Sequence, residues 1–202
     1  NVWKPSSKVP LSAIACQNII KDVLVENNLP EGIFTLIVGK GSTIGEKILN
    51  DSRIPLISVT GSTNVGRHAG EVIAKRFGRA ILELGGNNAI IMTPDVDLKM
   101  AMPAVVFGAV GTAGQRCTST RRLIVHESIY NKVKESLLKA YSGLKIGNPL
   151  DEKNHVGPLI DKGAVKDFTN ALKLVVEEGG KIIYGGTVLE GDQYKSGSYV
   201  VP

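Results

Sequence analysis

The sequence predicts an α/β protein built on parallel strands. Apolar runs of strand length, rich in β-branched residues, occur at 33–38, 55–59 and 80–84. Segments with helical spacing lie between them. Gly, Pro and Asn punctuate nearly every junction. Strand and helix alternate through residue 86, and that order implies right-handed crossovers between parallel strands.

The elements follow in order. Residues 5–10 read as extended or turn, bounded by Pro5 and Pro10. Cys16, Ile19, Ile20, Val23 and Leu24 share one helix face, and Pro30 and Gly32 end that helix. The strand 33–38 leads into Gly39-Lys40-Gly41. Thr43 with Glu46 three residues on reads as a capping box opening a short helix to Leu49. After the strand 55–59, Thr60-Gly61-Ser62 turns into a helix over 64–77, ended by Gly78. The strand 80–84 closes on Gly85-Gly86, the natural division between 1–86 and 87–202. A strand 88–92 and a helix 97–110 follow, then a glycine-rich turn, 111–114. Next come a strand 121–126, a helix 128–141 capped by Ser128, a helix from its cap Asp161 to about 178, and a strand 181–184. Tyr199-Val200-Val201-Pro202 reads as a strand cut short. With Asn1 as its first residue, the chain reads as an internal piece of a longer protein.

Composition removes several function classes. The 202 residues carry a net charge of +5 with scattered bases and only 5% aromatics. Nucleic-acid binders cluster their bases and interleave aromatics, so no nucleic-acid partner is expected. The apolar runs are too short to cross a membrane, and no signal-peptide pattern heads the chain. Two cysteines, Cys16 and Cys117, make no disulfide framework, which points to a reducing, cytoplasmic setting. The three histidines lack metal-ligand spacing, so no metal site is expected.

Three places carry candidate chemistry. Gly39-Lys40-Gly41 and Thr60-Gly61-Ser62 each join a strand to a helix, where free N–H groups favour an anion such as a dinucleotide pyrophosphate. Plain turn chemistry, with Ser62 as a cap, is the alternative. Cys117 follows Gly114-Gln115-Arg116 with no apolar periodicity to explain it. Arg116 beside it favours a thiolate nucleophile; a small buried hydrophobe is the alternative. Cys16, on its apolar face, fits that second description. Glu83 ends a strand that otherwise reads as buried. It is a general base if desolvated, or else an outward-facing residue or a partner of Arg79.

Together these residues resemble the aldehyde dehydrogenase superfamily. Val59-Thr60-Gly61-Ser62-Thr63-Asn64-Val65-Gly66 is similar to its cofactor-phosphate turn, Leu82-Glu83-Leu84-Gly85-Gly86 to its general-base motif, and Gly114-Gln115-Arg116-Cys117-Thr118 to its nucleophile motif. Cys117 stands 34 positions after Glu83, the family's interval. Gly85-Gly86-Asn87-Asn88-Ala89-Ile90 and the run into Cys117 resemble the antiquitin branch, which oxidises α-aminoadipic semialdehyde.

The resemblance implies a Rossmann-like cofactor domain (its C-terminal part, 1–86) followed by the start of an α/β catalytic domain (87–202). Cys117 would be the nucleophile, with its own N–H helping to hold the oxyanion, and Glu83 the base that activates water. Trp3, Lys4, Gly41, Gly45, Thr60, Gly61, Ser62, Val65, Leu84 and Gly85 would contact the cofactor, and Arg116 and Thr118 the substrate. NAD is the cofactor so implied. Many members carry a glutamate where Ser7 stands, and with Lys8 beside it NADP remains open. The implied partners are a small aldehyde and further copies of the chain. A mitochondrial address, if present, would precede Asn1. Three readings stand against this one: a structural protein that kept the scaffold, as in lens crystallins; a basic nucleic-acid-binding module; and a coenzyme-A-acylating relative. Relatives of that last kind often lack the base, so Glu83 disfavours it.

Overall fold

The computed structural model describes residues 1–195 and 197–202. It divides into two compact units, Asn1–Leu84 and Gly85–Pro202.

In the first unit, β1 (Val2–Trp3) pairs in parallel with β2 (Thr35–Leu36), and α1 (Pro10–Glu26) connects them. Pro10 sits in the first turn of α1, where a missing N–H costs nothing. The helix therefore starts well before Cys16. It buries only Ala13, and Cys16 is exposed rather than packed on an apolar face. The expected buried strand 33–38 shortens to the two residues of β2, and Ile33, Ile37 and Val38 are exposed.

Gly41–Gly45 forms one π-helical turn that runs into α2 (Glu46–Asn50). No capping box forms here. The Thr43 hydroxyl donates back to the Lys40 carbonyl at 3.3 Å, so it is spent inside the π turn. β3 (Leu56–Thr60) and β4 (Arg79–Glu83) pair in parallel across α3 (Thr63–Lys75), with Thr60 opposite Glu83. Ser62 caps α3 by accepting the Val65 N–H. The end of α3 differs from expectation. Phe77, not Gly78, takes the left-handed position (φ 59°), and Gly78 N–H returns to the Ile73 carbonyl. Leu49, Ile57, Ala69 and Ile73 form the core of this unit.

In the second unit, β5 (Asn88–Met92) and β6 (Thr120–Val125) are parallel. α4 (Leu98–Val110, capped by Asp97) joins them, and α5 (Tyr130–Ser142) follows. Met92, Val105 and Val133 form the core. Ser128 does not cap α5. The His126 ring nitrogen accepts the Ser128 N–H and opens a short 3₁₀ turn, Glu127–Ile129. α6 (Lys162–Glu177) is capped by Asp161 as expected. No strand forms at 181–184, where Tyr184 packs edge-on against Tyr141. β7 (Thr187–Val188) and β8 (Val200–Val201) close as an antiparallel pair.

Candidate functional site

Two groups of site residues lie in the first unit. At the β1 end, Lys4 donates from Nζ to the carbonyls of Pro5 (2.6 Å) and Gly39 (3.2 Å). An ammonium has three hydrogens, so one remains for a ligand. The Lys4 stem passes Gly45, whose missing Cβ would lie 3.9 Å from Lys4 Cε. Gly41 faces open space. Trp3 is half-buried against Phe34, ring centroids 6.0 Å apart.

The second group gathers at the C-terminal ends of β3 and β4, the end where parallel sheets hold ligands. Gly61 N–H donates to the Glu83 carbonyl at 3.0 Å and ties the turn to the strand beside it. α3 starts there. Ser62 satisfies Val65 N–H, while the N–H groups of Thr63 and Asn64 have no partner among the described residues. Unpaired N–H groups and the helix dipole suit an anion, so these residues fit a pyrophosphate. Val65 is exposed beside them, and Leu84 lies against Gly66 so closely that a Cβ on Gly66 would overlap its side chain. β4 is exposed along its whole length. The Glu83 carboxylate is thus in solvent contact, with no ion pair to Arg79 and no hydrogen bond among the described residues. Within this chain Glu83 takes the outward-facing of the two positions the sequence left open.

The third group lies in the second unit, on the turn between α4 and β6. Thr112 and Ala113 adopt left-handed backbone (φ 56° and 53°), and Gly114 follows at 70°. Two non-glycine residues held in that region mark a segment constrained by its surroundings. The restraints are visible. The Gln115 side chain accepts Ile160 N–H at 2.9 Å and donates to the Thr112 carbonyl. Arg116 is exposed, and its guanidinium is engaged within the turn. Its Nε donates to the Thr112 hydroxyl at 2.8 Å, and its carbon lies 5.0 Å from the Phe107 ring centroid.

Cys117 and Thr118 are exposed at the head of this turn. Ser119, only 2% exposed, closes it: its N–H donates to the Arg116 carbonyl, and its hydroxyl accepts Arg116 N–H. In a trans peptide the C=O and the next N–H point opposite ways. With the Arg116 carbonyl turned in toward Ser119, the Cys117 N–H turns out, and it has no partner among the described residues. A thiol and an unpaired N–H on one residue can attack a carbonyl carbon and hold the resulting oxyanion. Gly85 precedes Gly86, which packs against the Cys117 carbonyl. Sequence reasoning passed over Asn88, whose amide reaches this same turn; its signal was an amide opening an otherwise apolar strand. Among the described residues no group of three His, Cys, Asp or Glu could hold a metal, and no helix is long and apolar enough to cross a membrane.

The family model described as the aldehyde dehydrogenase family matches residues 1–202. The chain is 48% identical over 201 residues to aldehyde dehydrogenase family 7 member A1 of Pisum sativum, covering 100% of this chain and 39% of that protein. It is 45% identical to alpha-aminoadipic semialdehyde dehydrogenase of Mus musculus, covering 100% and 36%. Among solved structures, betaine aldehyde dehydrogenase of Staphylococcus aureus in complex with NAD+ superposes with a TM-score of 0.93 at 30% identity, covering 100% of this chain and 39% of that one. The chain therefore spans less than two fifths of the length of these relatives.

Proposed function

We propose, from the premise that this chain belongs to the aldehyde dehydrogenase family, that the protein carrying it oxidises a small aldehyde to the carboxylic acid through a thioester on Cys117. The observation that carries this reading is the Cys117 turn, which presents an exposed thiol and an unpaired N–H on one restrained residue. The exposed Cys117 thiol gives its proton to solvent and its sulfur attacks the aldehyde carbon; a C–S bond forms and the carbonyl π pair moves to oxygen. The Cys117 N–H holds that oxyanion. NAD, when bound, supplies the hydride acceptor that leaves Cys117 carrying a thioester. Glu83 takes a proton from water, which adds to the thioester carbon. The C–S bond breaks, the electron pair returns to Cys117 sulfur, and the acid leaves.

The start of α3 with Ser62, Thr63 and Asn64 would hold the pyrophosphate, and Lys4 with Gly41 and Gly45 the adenosine end. Trp3, Thr60, Gly61, Val65, Leu84 and Gly85 would border the cofactor. NAD is favoured by the NAD+ complex of the Staphylococcus aureus relative, while Ser7 leaves NADP as the alternative. α-Aminoadipic semialdehyde is favoured by the name of the Mus musculus relative. Thr118 and Arg116, both exposed beside the nucleophile, are the substrate contacts of this reading, and Arg116 also braces the turn. The two free cysteines, Cys16 and Cys117, favour a reducing compartment, cytoplasmic or mitochondrial. A homo-oligomer is part of the same proposal, and light scattering of the full-length protein tests it.

The test follows NADH absorbance with α-aminoadipic semialdehyde and NAD in the full-length protein carrying this sequence, beside Cys117→Ala. NADH formation that vanishes in the variant supports the proposal. Turnover undiminished by Cys117→Ala refutes the nucleophile. No reduced cofactor with NAD or NADP across several aldehydes refutes the activity. Glu83→Gln is expected to give a burst of NADH followed by a stall, and equal loss of both phases removes Glu83 as the base.

A further inference from the structure

Asn88 opens β5, whose remaining residues Ala89, Ile90, Ile91 and Met92 are apolar. Its side chain is exposed and fills no core. Its Nδ2 instead donates to the carbonyl oxygen of Cys117 at 2.7 Å and to that of Ser119 at 3.1 Å. An amide nitrogen carries two hydrogens, so one group engages both carbonyls. The two peptide units flanking Cys117 are then held from different sides. The preceding one is fixed through the Arg116 carbonyl and Ser119 N–H, within the turn itself. The following one is fixed only by Asn88 among the described residues. Two fixed peptide planes determine φ and ψ of the residue between them, and with them the direction of its Cα–Cβ bond. Gly86 shows how closely this is packed: a Cβ there would stand 2.9 Å from both the Cys117 carbonyl oxygen and Asn88 Oδ1.

We propose that Asn88 is a positioning residue for the nucleophile: its amide anchors the Cys117 turn to β5 and so sets the aim of the thiol and of the unpaired N–H. This rests on reading Cys117 as the nucleophile. Asn88 touches no reacting atom and acts through the backbone of Cys117. A reacting atom displaced by about 1 Å costs on the order of 100-fold in rate, so one strap is enough to govern turnover.

The test uses the full-length protein with Asn88→Asp and Asn88→Ser. Aspartate keeps the size and shape but turns an acceptor toward two carbonyls; serine keeps one shorter donor. Three quantities are read: kcat, KM for NAD, and the rate at which iodoacetamide alkylates Cys117, followed by peptide mass spectrometry without cofactor or aldehyde. Asn88→Asp is expected to lower kcat by about 100-fold and to slow alkylation by about fivefold, the size of one hydrogen bond. KM for NAD stays within about twofold, and Asn88→Ser recovers part of both losses. Wild-type kcat and alkylation in Asn88→Asp overturn the proposal, as does a fall in kcat matched by an equal loss of NAD affinity. If Asn88→Asp does not fold, Asn88→Ser decides, since wild-type kinetics in it also overturn the proposal. If the unaltered protein oxidises no aldehyde, the proposed function fails by itself, and the alkylation rates still decide the role of Asn88.

Discussion

Replacing Gly86 by alanine presses a methyl group against the nucleophile turn. The new Cβ would lie 2.9 Å from the Cys117 carbonyl oxygen, 2.9 Å from Asn88 Oδ1 and 3.1 Å from Asn88 Nδ2. Gly86 does not have the left-handed φ that demands glycine; what is missing is room. Carbon–oxygen contacts settle at about 3.3 Å or beyond, so something must move by about 0.4 Å. If Asn88 swings away, two hydrogen bonds are lost, each worth about 1 kcal/mol. If the carbonyl yields instead, the cost is that of mild overpacking, about 1–3 kcal/mol. Removing a glycine from the unfolded chain returns about 0.4–1 kcal/mol. A net loss of about 1 kcal/mol is therefore expected, lowering the melting temperature by about 2–4 °C for a domain of this size. The rate should suffer more than stability, by about tenfold or greater, because the displaced atom belongs to Cys117. Circular-dichroism melting reads the first quantity, and the rate of NADH formation by the full-length protein reads the second. Gly41→Ala is the control, since nothing lies within 4 Å of its added methyl; it should melt at or above the wild-type temperature. A wild-type rate of NADH formation in Gly86→Ala would refute the close contact of the Cys117 carbonyl with Gly86.

Other perturbations test other parts of the structure. Gly66→Ala, buried within α3, would overlap the Leu84 side chain. The helix gains about 1 kcal/mol from alanine, so melting should change little while Leu84 is displaced; NAD affinity of the full-length protein measured by fluorescence titration should fall, and unchanged affinity would remove Leu84 from the cofactor contacts. Ile73→Ala empties a side chain only 1% exposed in the core of the first unit and should cost about 2–5 kcal/mol in urea unfolding; a cost under about 1 kcal/mol would mean that this core is not packed as described. Asp51 is held by a side-chain hydrogen bond from Arg53, 2.6 Å between Nη2 and Oδ2, and then by the Arg53 N–H, which bring its pKa from 3.8 to about 2. A lowered folded pKa stabilises above pH 3.8, and that contribution fades as the pH falls through 2. The melting difference between wild type and Asp51→Asn should therefore be present near neutrality and close at about pH 2; a gap independent of pH would refute the pairing.

The sequence made some elements legible and hid others for physical reasons. α3 was readable because its start is local: Ser62 accepts an N–H three residues on. Local rules misled where a side chain had a second local option. Thr43 had the spacing of a capping box, yet its hydroxyl bonds the Lys40 carbonyl inside a π turn. Ser128 yielded its capping role to the imidazole of His126. Apolar runs misled differently. Residues 33–38 and 181–184 have strand composition, but composition does not supply a partner strand. Only Thr35–Leu36 finds one in the first run, and the second finds none among the described residues.

The candidate site divides along the same line. Cys117 and Glu83 stood out because neither belongs to the apolar pattern around it; a residue with no packing reason to be present is conspicuous in a single sequence. What holds Cys117 in place was hidden. Asn88 lies 29 positions away and Ile160 bonds Gln115 across 45, and no periodicity links such positions. The environment of the reactive groups was hidden as well. Glu83 stood open between a desolvated base and an outward-facing position, and within this chain β4 is exposed along its length. The resemblance named Arg116 as a substrate contact, and no pattern in the sequence shows that its guanidinium also engages Thr112 and Phe107. The identity of a reactive residue is written at one position, but its aim and its solvation are set by residues distant in sequence. Kinetic differences among Asn88, Gly86 and Arg116 variants would therefore reveal more about this nucleophile than further substitutions of Cys117 itself.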